Sequence, residues 1–150
     1  LYVGIGFLNI VNARISGLDK VLFALIIVWA TDIGAYMIGR RFGRRKLLPK
    51  VSPNKTIEGS LGGIVCAVIV ALIFMLVDKA VYTPHNLFAM LIYVVLFSVF
   101  GQFGDLVESA IKRHFGVKDS GKLIPGHGGI LDRFDSMIFV FPMMHLLGLF

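Results

Sequence analysis

Several apolar runs, each close to the length that crosses a bilayer and each ended by charged residues, leave this chain few ways to fold. They cover residues 21–38, 59–77, 87 to about 113 and 134–150. In hydrocarbon no water satisfies backbone N–H and C=O groups, and a helix satisfies them within its own segment. About 20 residues rising 1.5 Å each cover a core ~30 Å thick. The expected fold is therefore all-α, a polytopic transmembrane helix bundle of about five spans with the first truncated. That first stretch, residues 1–11, is apolar but too short to cross. It begins with Leu1 rather than methionine and has no basic segment before it. Residues 12–20 read as a polar connection. We expect 1–150 to be a single membrane-embedded domain, the C-terminal part of a longer chain, without a separate soluble domain.

At 57% hydrophobic residues and a mean hydropathy of +0.83, the chain is no ordinary water-soluble globule. Its one cysteine, Cys66, sits inside an apolar run, which excludes a disulfide framework and a cysteine metal site. A net charge of +6 would suit nucleic acid, but the positions of the cations argue otherwise. Seven of the fifteen basic residues, Arg40, Arg41, Arg44, Arg45, Lys46, Lys50 and Lys55, fall in the loop 39–58. Lys112, Arg113, Lys118, Lys122 and Arg133 fall in the loop before the last run, while the intervening 78–86 carries only Lys79 as an unambiguous cation. By the positive-inside rule both basic loops face the cytoplasm across the cell membrane. The membrane is then the partner of this charge, and no nucleic acid is expected. The arginine and lysine run from Arg40 to Lys50 reads as a topology signal and headgroup anchor.

Carboxylates interrupt the apolar pattern. Asp32 lies within the second run, where a charge costs about 2.5–3.5 kcal/mol, and it shares a helical face with Tyr36 and Gly39. Asp105, Glu108, Ser109 and Lys112 recur at i, i+3, i+4 and i+7 and so share another face. Asp132 and Asp135 would open the last helix on one face. The topology brings all these acids to one depth, where they repel unless protonated or bound by cations. Oxygen ligands without cysteine favour Mg²⁺, and a second cation is compatible with so many acids. The candidate metal ligands are Asp105, Asp132, Asp135, Glu108 and Asp32.

Lys55, Lys112, Arg113, Lys118, Lys122 and Arg133 form a phosphate-binding set, and the glycines around His127 can bring backbone N–H groups to an anion. Ser52, Asn54, Lys55 and Thr56 precede a helix start, which suits an anionic ligand, although capping alone also accounts for Asn54 and Thr56. Taken singly, an acid or a cation here has a bland reading as a helix start, an ion pair or a topology signal. Carboxylates, metal and basic clamps on one side of one membrane are together the parts for phosphoryl or nucleotidyl transfer. Gly59, Gly62 and Gly63 read more simply as helix-packing contacts.

The stretch Ser109, Ile111, Lys112, Arg113, then Lys118, Asp119 and Gly121, then Ile124, Pro125, His127, Gly128, Gly129, Asp132, Arg133, Phe134 and Asp135 resembles the signature of the phosphatidate cytidylyltransferases, or CDP-diacylglycerol synthases. Two further blocks resemble that family: Trp29, Ala30, Asp32, Ala35, Tyr36, Gly39, and Ser52, Pro53, Lys55, Thr56, Glu58, Gly59, Gly62, Gly63. The resemblance covers essentially the whole chain. It implies the reaction of CTP with phosphatidate in the bilayer to give CDP-diacylglycerol and pyrophosphate, with Mg²⁺. On that reading Asp105, Lys112, Arg113, Asp132, Arg133 and Asp135 are catalytic. Ser52, Asn54, Lys55, Thr56, Ser109, Lys118, Asp119, His127, Gly128 and Gly129 bind substrate, and a homodimer is left open as the assembly. A CTP-dependent kinase of a polyprenol-type lipid is the nearest alternative and would release CDP instead of pyrophosphate. An ion-coupled transporter would use the carboxylates as a cation path but leaves the basic, glycine-rich segment without a role.

Overall fold

The structure is a computed structural model and describes residues 2–77, 87–117 and 134–149. Among these residues are α1 (Tyr2–Ser16), α2 (Leu18–Phe42), a hairpin of β1 (Lys46–Leu48) and β2 (Ser52–Thr56), α3 (Ile57–Val77), α4 (Leu87–His114) and α5 (Met137–Leu146). The helices α2, α3 and α4 are long and apolar enough to cross a membrane, and α1 and α5 are shorter apolar helices. The chain is an all-α, multi-pass membrane bundle.

Three boundaries differ from the sequence expectation. The polar connection expected at 12–20 is mostly helix: α1 runs to Ser16 and α2 starts at Leu18, leaving Gly17 between them. Ala13 is fully buried while Arg14 and Ser16 are exposed, so these polar side chains sit on the outer face of a helix that has no need to break. The basic loop is structured at both ends. α2 extends to Phe42, and the hairpin pairs Lys46 with Thr56 and Leu48 with Ser52, antiparallel. The last helix is shorter than the expected run 134–150, with ten residues and Pro142 inside it. At about 15 Å it cannot cross a bilayer by itself.

The core lies where α2, α4 and α5 meet. Phe23, Ile27, Met90, Val94, Phe97, Phe141 and Met144 are buried there, with Ala67 and Ala71 of α3 and Ala13 of α1 closing the cluster. On α4 the buried residues Met90, Val94, Phe97, Gly101, Gly104 and Glu108 trace one stripe at helical spacing. The stripe is apolar along most of its length and ends on a carboxylate. Outward-facing residues remain apolar: Leu61, Leu76 and Phe88 are all exposed, as befits helices solvated by lipid tails.

α2 and α3 approach most closely where side chains are smallest. A Cβ on Gly63 would lie 2.6 Å from the Thr31 carbonyl oxygen, and one on Gly59 would lie 2.7 Å from that of Ala35. Cys66 packs over Gly34 in the same seam, as a small apolar filler. This seam brings the base of α3, and the hairpin leading into it, against the last turns of α2.

Candidate active site

Two segments supply three carboxylates to one place. Asp105 and Glu108 lie one turn apart on α4, and Asp135 lies in the turn just before α5. Each offers an oxygen, and the three oxygens lie within 4.8 Å of one another. The approach of the two segments depends on Gly104, where a Cβ would come 2.7 Å from the Asp135 carbonyl oxygen and 3.1 Å from the Ser136 Cα. The Ser136 N–H donates to Asp135 Oδ1 at 2.6 Å and fixes that carboxylate.

Glu108 is 1% exposed. Its Oε2 accepts from Lys112 Nζ at 3.3 Å, but its Oε1 is buried and has no hydrogen-bond partner among the described residues. An orphaned carboxylate oxygen facing two further carboxylates calls for positive charge or a shared proton. The donor set is all oxygen, it is partly shielded, and one member is left unsatisfied. It suits a hard divalent cation such as Mg²⁺.

Beside the trio opens a cavity of about 720 Å³, lined by Asp32, Tyr36, Gly39 and Arg40 of α2, by Lys46, Ser52, Asn54, Lys55 and Thr56 of the hairpin, and by Ser60, Gln102 and Asp105. Asp105 belongs to both the cavity and the trio. The Lys55 ammonium pairs with its Oδ2, and Ser109 Oγ donates to its Oδ1 at 3.4 Å. Thr56 is buried and accepts the Gly59 N–H on its hydroxyl at 3.1 Å, so it caps the start of α3 as well as lining the wall.

Behind the wall a polar row ties three helices together. Thr31 donates to Ser98 Oγ at 2.9 Å, Gln102 Nε2 reaches Ser98 Oγ at 3.5 Å and the Ser60 carbonyl at 3.2 Å, and the Ser60 hydroxyl donates to Gln102 Oε1.

The structure thus brings together Asp32, Ser52, Asn54, Lys55, Thr56, Asp105, Glu108, Ser109, Lys112 and Asp135 from the sequence-derived set. Asp32 lines the cavity but is not one of the clustered trio. Arg113 is exposed and directs its Nε to the Val51 carbonyl at 3.5 Å, bracing α4 against the hairpin outside the cavity. Lys118, Asp119, Lys122, His127, Gly128, Gly129, Asp132 and Arg133 lie outside the described residues.

Sequence reasoning missed Arg40, Lys46, Ser60 and Gln102 as cavity residues. Arg40 continues the i, i+4, i+8 face of Asp32 and Tyr36, and its guanidinium donates to the Tyr36 hydroxyl at 3.2 Å. Gln102 stands one turn before Asp105, so a helical-face count would have found both. Lys46 reaches the wall through the hairpin register, which no local pattern announces. The basic run is thus more than a topology signal at these two positions.

The pattern of the cytidylyltransferase family matches residues 1–150. Proteins named phosphatidate cytidylyltransferase from Staphylococcus saprophyticus, Staphylococcus epidermidis and Staphylococcus aureus are 54%, 55% and 53% identical to it over 97% of the chain. The chain spans about 55% of the length of these curated relatives. In three dimensions it is similar to a solved structure described as an intramembrane enzyme for archaeal membrane lipids biosynthesis. That likeness has a TM-score of 0.65 at 18% identity and covers 88% of this chain and 80% of the other, which shows a shared fold. With a match that runs from the first residue to the last, and relatives more than half identical over nearly all of it, the chain belongs to the cytidylyltransferase family.

Proposed function

We propose that this chain forms the membrane-embedded catalytic unit of a Mg²⁺-dependent phosphatidate cytidylyltransferase. It would face the cytoplasm across the bacterial cell membrane and join CTP to phosphatidate with release of pyrophosphate. The observation that carries this reading is the trio Asp105, Glu108 and Asp135, with the unsatisfied Glu108 oxygen, set beside a cavity that holds Arg40, Lys46 and Lys55. The names of the staphylococcal relatives support the choice of substrates.

A phosphate oxygen of phosphatidate attacks the α-phosphorus of CTP, and the bond from that phosphorus to the bridging oxygen of the β-phosphate breaks. The attacking oxygen is already ionised near neutral pH, so the site needs no strong base. Its task is to bring two polyanions together. Lys55 and Lys46 on the hairpin and Arg40 on α2 supply positive charge to the cavity, and the Ser52 and Asn54 side chains supply polar contacts at its wall. Asp105, Glu108 and Asp135, with Asp132 as the further expected ligand, would hold Mg²⁺, which supplies charge neutralisation for the nucleotide phosphates and the leaving pyrophosphate. Lys112, bonded to Glu108, keeps that carboxylate directed at the trio.

The test is CTP-dependent turnover of phosphatidate by the full protein in lipid vesicles. CDP-diacylglycerol and pyrophosphate are expected in equal amounts, with a fall of about 100-fold or more for Asp105→Asn. Release of CDP with a phosphorylated lipid alcohol would replace this reading with a lipid kinase. Near wild-type turnover by Asp105→Asn at limiting Mg²⁺ would remove the metal assignment.

A further inference from the structure

Glu58 belongs to neither the trio nor the cavity lining, yet its carboxylate is fully engaged. Its Oε2 accepts the backbone N–H groups of Arg44 at 3.1 Å and Arg45 at 3.2 Å, and its Oε1 accepts from Arg45 at 3.3 Å. The Ile57 N–H donates to the Arg45 carbonyl at 3.0 Å. Residue 45 is therefore gripped on both its N–H and its C=O by the first turn of α3. The next residue, Lys46, starts β1 and lines the cavity.

The cations of the cavity are not equally committed. Lys55 is paired with Asp105, and Arg40 reaches the Tyr36 hydroxyl, whereas Lys46 has no ion pair or hydrogen-bonded side-chain partner among the described residues. It stands beyond the end of α2, at the start of β1, and a water-borne polyanion would reach the cavity from the polar end to which the hairpin belongs. A lipid phosphate is held at the interface by its acyl chains.

We infer that Glu58 is a positioning residue. It clips the strand start to α3 so that Lys46 presents its ammonium to the triphosphate of the incoming nucleotide. The inference rests on the nucleotidyl-transfer reading above. The rival account is a carboxylate that stabilises α3 by lying at the positive end of its dipole. The two accounts part at Glu58→Gln. A glutamine oxygen in the place of Oε2 keeps the bonds from Arg44 and Arg45 to that atom, gives up only the longer Arg45 bond to Oε1, and removes the charge.

Initial rates of the full protein in vesicles, with CTP and phosphatidate varied separately, test the inference. Glu58→Ala and Lys46→Ala should each raise KM for CTP about tenfold, with little change in kcat or in the phosphatidate dependence. The double variant should be no worse than either single variant, and Glu58→Gln should remain within about twofold of wild type. An unchanged KM for CTP in Lys46→Ala overturns the inference, and so does Glu58→Gln as impaired as Glu58→Ala. If Glu58→Ala does not fold, Lys46→Ala and Glu58→Gln still decide. A wild-type protein that forms no CDP-diacylglycerol overturns the underlying reading itself, which separates the two failures.

Discussion

At the scale of single residues, the site is a matter of unequal partners for like charges. Asp105 has Lys55 and Ser109, Asp135 has the Ser136 N–H, and Glu108 has Lys112 on one oxygen and no described partner on the other. Removing the charge of Glu108 while keeping its shape should relieve repulsion in the metal-free protein and weaken the metal-bound one. Glu108→Gln is therefore expected to raise the Mg²⁺ concentration for half-maximal turnover by about tenfold or more, with the melting temperature in EDTA unchanged or higher. Titrating activity with Mg²⁺ and melting the protein in EDTA check both halves. Asp105 and Glu108 were legible in the sequence because carboxylates at helical spacing inside an apolar run are too costly to stand there without a ligand or a partner. Lys46 was not legible, because its place depends on a pairing with Thr56 across a strand register.

Among the elements, apolar length identified the helices and little else fixed their ends. The α1–α2 boundary moved because polar Arg14 and Ser16 could face outward without breaking the helix, and the hairpin escaped notice because strands of three and five residues, one containing Pro53, carry too little periodicity. The expected role of the glycines of α3 is what the structure shows: Gly59 and Gly63 admit the backbone of α2. Filling that seam should be costly. Gly63→Leu is expected to destabilise the bundle by about 3 kcal/mol or more, since overpacking cannot be relieved by a neighbouring side chain when the neighbour is a carbonyl oxygen. Thermal unfolding in detergent measures the loss. Added bulk at Leu61, which is 60% exposed and faces outward, meets no such wall, and Leu61→Phe should leave stability within about 0.5 kcal/mol.

For the whole molecule, the arrangement of charge predicts an orientation. The hairpin, the ends of α2 and α4 and the carboxylate trio lie at one end of the bundle, and Arg40, Arg41, Arg44, Arg45, Lys50 and Arg113 surround that end. With Cys66 replaced by alanine, a cysteine introduced at Lys50 should react with a membrane-impermeant maleimide in inside-out vesicles and stay protected in intact cells. Labelling from outside intact cells would reverse the proposed topology. Neither basic loop alone assembles the candidate site; the fold brings the hairpin and the two carboxylate-bearing segments to the same end.

Gly104 gives this arrangement a mechanical side. The helix that carries Asp105 and Glu108 is pressed against the turn that carries Asp135 at a contact too tight for any side chain, and the carboxylates of these two segments, where ionised together, repel one another across it. The contact is thus a latch that such repulsion would load like a spring, and a cation settling between the acids would turn the spring into a clasp. Ligand occupancy and the tightness of the bundle then become two readings of one equilibrium. A protein built this way would report the filling of its site as resistance to unfolding, before any product is made.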